Sequence, residues 1–93
     1  MSISRKLVKV GAIVTHYKSD EQHYIVTGFS FNTDDDYWQI DYRRCSFTIV
    51  KSGRIHLKTL RFGRKFTRRT RDFLQRFTLI LHIKVKFRMI IYN

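Results

Sequence analysis

Residues 61–77 read RFGRKFTRRTRDFLQRF, and whether this stretch is helix or strand decides the fold. At about 100° per residue, Phe62, Phe66, Phe73 and Phe77 fall within an arc of roughly 60°. Arg61, Arg64, Lys65, Arg68, Arg71 and Arg76 collect on the flank and far side of the same wheel. This is the pattern of a basic amphipathic helix whose Phe stripe turns to the core. Thr67 is a suitable N-cap, and Gly63 lies before the regular turns, which places the helix near 64–77. Arg69 falls beside the phenylalanines, where it must snorkel or meet an anion. An extended arm matches fewer positions.

The flanking segments have a period of two. Val8, Val10, Ala12 and Val14 alternate with Lys9, Gly11, Ile13 and Thr15. His23 to Phe31 is rich in β-branched and aromatic residues, and Trp38, Ile40 and Tyr42 alternate with Gln39, Asp41 and Arg43. Phe47 to Val50 and Ile55 to Leu60 flank Lys51-Ser52-Gly53-Arg54, a hairpin turn by composition. Lys18 to Gln22 and Asn32 to Asp36 are the other turn candidates. Downstream, Leu79, Leu81, Ile83, Val85, Phe87, Met89 and Ile91 occupy every odd position, with His82, Lys84, Lys86 and Arg88 between them. That is a strand with one greasy face and one cationic face.

The expectation is a mainly β protein in a single domain, residues 1–93. It comprises a small SH3-like barrel of about five strands over 5–60, a basic helix over 61–77 and a long amphipathic strand over 78–92. A strand of thirteen residues would reach roughly 43 Å. It must therefore bend around the barrel or pair with a second copy, which makes a homodimer through this strand one expectation.

Charge is divided sharply. Residues 1–41 carry four Lys/Arg against six Asp/Glu, and residues 42–93 carry fifteen against Asp72 alone, giving −2 and +14 within a net of +12. Such a field draws polyanions: nucleic acid, an anionic membrane or an acidic protein surface. A hydrophobic content of 43% and an aromatic content of 15% separate the chain from a disordered basic tail. One cysteine, Cys45, cannot form an intramolecular disulfide, which points to a reducing, cytoplasmic setting. Neither a signal-peptide pattern nor a run of about 18 apolar residues occurs, so no secretory leader and no spanning segment are expected.

Chemistry beyond charge finds little support. Asp34-Asp35-Asp36 are adjacent rather than alternate, without the Gly and distal Glu of a calcium loop, so the turn reads as solvated or as a cover for the basic surface. His16, His23, His56, His82 and Cys45 lack zinc-ligand spacing, so no metal or other cofactor is expected. Ser2, Ser4, Ser19, Ser30, Ser46 and Ser52 lie in no nucleophile elbow, and no phosphate-binding loop is present. Cys45 follows Arg43-Arg44, which could lower its pKa, but one thiol near arginines is not a nucleophile–base pair. The chain is not expected to be an enzyme.

Val14-Thr15-His16-Tyr17-Lys18, followed by Tyr24, Val26 and Gly28, resembles the opening of an uncharacterised family of small SH3-like domains, with an H-Y-K turn leading into a Y-x-V-x-G strand. The resemblance covers about a third of the chain and implies a fold but no activity or site. The Arg-rich segment and the final strand depart from it. The compact, basic, proline-free chain also resembles small accessory proteins of large bacteriophages, many of which bind nucleic acid or redirect a host enzyme.

The leading expectation is a nucleic-acid-binding module, with RNA or single strands preferred because aromatics accompany the cations. Arg61, Arg64, Lys65, Arg68, Arg69, Arg71, Arg76, Lys84, Lys86 and Arg88 would neutralise phosphate, and Tyr37, Trp38 and Tyr42 would stack on bases. The alternative is a phage-type interaction protein that inhibits or redirects an acidic host protein, such as a nucleic-acid enzyme or defence factor, since Arg and aromatics also make interface hot spots. A membrane-surface role for residues 61–91 is a third reading.

Overall fold

The computed structural model describes residues 4–83. After a 3-10 turn at Arg5–Leu7, the chain forms β1 (Ala12–His16), β2 (Ser19–Asn32), β3 (Tyr37–Ile49), β4 (Ile55–Arg69), the helix α1 (Thr70–Arg76) and β5 (Phe77–His82). The five strands make one antiparallel sheet in the order β4-β3-β2-β1-β5.

Each hairpin has a local cause. At the β2–β3 turn, Asn32 Oδ1 accepts the backbone N–H groups of Asp34 and Asp35 at 3.0 and 3.1 Å, and Asp36 takes the left-handed φ of 60°. This self-bonding is why the Asn-rich and Asp-rich run reads as a turn. The β3–β4 turn uses Gly53 at φ 84°, where a side chain would be strained.

The 61–77 segment divides in two. Residues 61–69 complete β4, paired to β3 through Ser46↔Arg61, Arg43↔Lys65, Tyr42↔Phe66 and Gln39↔Arg69. Only Thr70–Arg76 is helical, entered from Arg69 rather than capped by Thr67. The expected helix is thus corrected over 61–69. Phenylalanines four apart satisfy both a strand and a helix, so Phe62/Phe66 and Phe73/Phe77 do not discriminate. The interval from Phe66 to Phe73 is seven, which switches parity and needs a non-strand segment between them. One short helix supplies that switch.

The strand expected over 78–92 begins at Phe77 and is observed to His82; its remainder, with Lys84, Lys86 and Arg88, lies outside the described residues.

The helix also explains the curvature. It carries the chain from β4 at one sheet edge to β5 at the other. A flat sheet would put those edges about 19 Å apart, whereas a seven-residue helix is about 10 Å long. The sheet must therefore curl around α1. It does not close, since β4 and β5 are not paired among the described residues.

Inside the curl lie Val8, Ala12, Val14, Val26, Ile40, Tyr42, Phe73 and Phe77, all buried. Phe73 stacks on Phe77 at 4.3 Å, Tyr42 stacks on Phe66 at 5.4 Å, and Tyr24 meets Tyr42, Phe66 and Phe77 edge-on. A second cluster, Ile13, Ile25, Cys45 and Ile83, packs with Phe47, Phe62 and Leu81. Because Ile13 points opposite to Ala12 and Val14, this cluster lies on the other face of the sheet. The Phe stripe is core, as expected, but it serves two cores: a register shift in β4 between Lys65 and Phe62 sends Phe62 to the second.

Candidate nucleic-acid interface

A strand sends alternate side chains to opposite faces, so the cations of 61–69 do not share one flank. Lys65 and Arg69 lie on the outer face, opposite Arg43 and Gln39 respectively across the β3–β4 ladder. Arg64 and Arg68 lie on the α1 side: the Arg64 guanidinium stands 5.5 Å from the Phe66 ring centroid, and Arg68 donates to the Tyr42 hydroxyl at 3.2 Å. Because β4 is the edge strand, its open side exposes both rows.

The single acid of this region is fully used. Asp72 Oδ2 accepts from Arg68 at 2.7 Å and Asp72 Oδ1 from Arg76 at 2.6 Å. These bonds, from Arg76 first and Arg68 next, hold the Asp72 carboxyl below its ordinary pKa. Arg68 thereby links β4 to α1, and Arg76 closes a contact within the helix. Arg61 donates to the carbonyls of Lys58 and Leu60 at 2.8 and 3.0 Å. Arg64, Lys65, Arg69 and Arg71 are exposed and have no carboxylate partner among the described residues. Arg69 and Arg71 border an open depression with Asp72 and Gln75, of ≈ 400 Å³.

The three proposed stacking residues separate. Trp38 is 59% exposed and meets Phe31, 42% exposed, edge-to-face at 5.4 Å. Tyr37 is half-buried beneath the Arg69 guanidinium, 4.9 Å from its ring centroid. Tyr42 is buried at 3% exposure and is no platform; register carries it into the core while Trp38 projects beyond it. Phe31 was missed by sequence reasoning, although the four-residue turn that aligns it with Trp38 could have indicated it.

His16 stacks on Tyr17 at 4.8 Å and accepts the Lys18 backbone N–H at its Nδ1. Burial first, then Arg68, Arg76 and Lys18, lowers its pKa and disfavours the charged ring.

Cys45 reverses expectation. It is buried in the second cluster, and desolvation pushes its thiol up to about 12. Arg43 does not activate it, because its guanidinium is turned to the Gly63 carbonyl at 2.9 and 3.0 Å. Its thiolate population is therefore far below that of an ordinary thiol. Native protein at pH 8 should resist iodoacetamide while unfolded protein reacts; alkylation of the folded state at the free-cysteine rate would refute the burial argument.

Among the described residues no cluster of three or more His, Cys, Asp or Glu is disposed to hold a metal, and no helix is long and apolar enough to cross a membrane. Comparison with protein-family models, curated proteins and solved structures finds no match to this chain.

Proposed function

We propose that this protein is a non-enzymatic nucleic-acid-binding module of the cytoplasm that engages single strands, RNA above all, along the open edge of β4. The observation that carries this reading is the charge of Arg64, Lys65, Arg69 and Arg71, unmatched among the described residues, beside an acid already occupied by Arg68 and Arg76. Guanidinium groups of this kind give bidentate hydrogen bonds to phosphate. The exposed Trp38–Phe31 pair, and Tyr37 beneath Arg69, offer π faces to unpaired bases. In this reading the curled sheet is an SH3-like scaffold left open between β4 and β5.

Titration of labelled single-stranded RNA, single-stranded DNA and duplex DNA at several salt concentrations tests it. Binding should weaken linearly in log K against log salt, and each of Arg64→Ala, Arg69→Ala and Arg71→Ala should reduce the slope by about one. Absence of binding at low salt would overturn the reading. It would favour instead an acidic protein partner docked on the same arginines and on Trp38, with the exposed aromatic pair as its hot spot.

A further inference from the structure

One carboxylate stands within the basic outer face without an ion-pair partner among the described residues. Asp41 on β3 is flanked in register by Gly28 on β2 and Thr67 on β4. Its Oδ1 accepts the hydroxyls of Ser30 and Thr67, both at 3.1 Å, one from each neighbouring strand. Gln39 Nε2 donates to the Ser30 oxygen at 3.1 Å and fixes that hydroxyl in turn. The carboxylate is thus oriented from both sides, and the lone pairs of Oδ1 are filled. Oδ2 accepts no hydrogen bond among the described residues. Opposite it the side chain is missing: a Cβ built on Gly28 would have Asp41 Oδ2 at 3.7 Å and nothing else within 4 Å. Beside it is a cleft of ≈ 480 Å³ in which Thr27, Asp41, Lys65 and Thr67 stand with the aromatic residues Phe29 and Phe66.

A fixed anion on a phosphate-binding face repels the phosphates it stands among, so it lowers affinity for every polyanion alike. It is useful only against a hydrogen-bond donor carried by the ligand. The cleft presents hydroxyl and carboxylate acceptors with one ammonium, Lys65, beside them. A ribose matches that arrangement: its 2′-hydroxyl donates, and its adjacent phosphate is an anion. We propose that Asp41 Oδ2 accepts the 2′-hydroxyl of a bound ribonucleotide while Lys65 takes the neighbouring phosphate, so that this cleft selects RNA over DNA. The proposal rests on the nucleic-acid reading above and adds to it the sugar that is recognised.

Binding of one single-stranded sequence as RNA, DNA and 2′-O-methyl RNA tests it, with Asp41→Asn and Gly28→Val beside the parent chain and circular dichroism confirming that each is folded. The parent should bind RNA about tenfold tighter than either other strand, the worth of one hydrogen bond to a charged group. Asp41→Asn should bring the ratio towards one and strengthen DNA binding, because a repulsive charge is gone. Gly28→Val should abolish the preference by filling the cleft with the charge retained. Equal binding of RNA and DNA by the parent, or a preference that survives both variants, overturns the sugar assignment while leaving the module intact. No binding of any strand removes both.

Discussion

Replacing Gly11 by alanine should remove a large part of the stability of this protein. Gly11 has a φ of 95°, and a Cβ added there would fall within 3.0 Å of the Ile83 carbonyl oxygen, a backbone atom that cannot rotate away. Nor can Gly11 move. Its N–H donates to Val26 at 2.9 Å, and its carbonyl accepts the Ile83 N–H at 2.9 Å. Ile83 is itself buried in the second cluster. Left-handed strain and a main-chain clash together should cost about 4 kcal/mol, against a total of about 5–15 for a domain of this kind. At about 4–8 °C per kcal/mol for a small domain, the melting temperature should fall by roughly 20 °C. A calorimetric midpoint within a few degrees of the parent would show that the chain beyond β5 does not approach Gly11 as described. Gly53→Ala is the internal comparison: it has a similar φ, 84°, but nothing within 4 Å of the added Cβ, so it carries the strain alone.

Phe73→Ala should cost about 3–5 kcal/mol through lost burial and the cavity left behind. Phe73 is fully buried, stacked on Phe77 and edge-on to Tyr42 at 5.2 Å. A seven-residue helix has no stability of its own in water, so α1 persists only because this ring anchors it. Denaturant unfolding should show the loss in midpoint, and amide exchange should show α1 opening at lower free energy than β2–β3. Unchanged protection of the α1 amides would mean that the Arg68–Asp72–Arg76 contacts, not the aromatic ring, hold the helix.

The sequence showed the strands of the first half because their signals are local. Alternation around Ile40, the Asn32 turn and the Gly53 turn are each settled within a few residues. The 61–77 segment was not local in that sense. Its residues became strand because Tyr42 and Phe66 face each other across a hairpin, and no short window contains both. The parity change between Phe66 and Phe73 was present in the sequence, but a continuous helix absorbs an interval of seven without strain. That misreading carried over to the candidate site. On a helix Arg64, Lys65, Arg68 and Arg71 gather together, whereas a strand and a short helix distribute them over two faces and a junction. Asp72 four residues from both Arg68 and Arg76 was legible as a pair of contacts, and it gives those two cations a carboxylate partner. Tyr42 was misjudged because its sequence neighbours are polar, whereas its partners across the sheet, Val26 and Phe66, are not.

The strand order has a consequence for the way the chain is made. β2, β3 and β4 meet through hairpins, so that ribbon assembles from contacts between near neighbours. β1 joins that ribbon through its own hairpin to β2, but its other edge must wait for β5, since Ala12 faces His82 seventy positions later. Closing so long a loop is slow relative to zipping a hairpin. During translation the curled interior therefore lacks α1 and β5 until nearly the whole described chain has emerged, while the arginine-bearing ribbon can already be formed. Completion of the core is the last event, and it depends on the C-terminal part of the molecule.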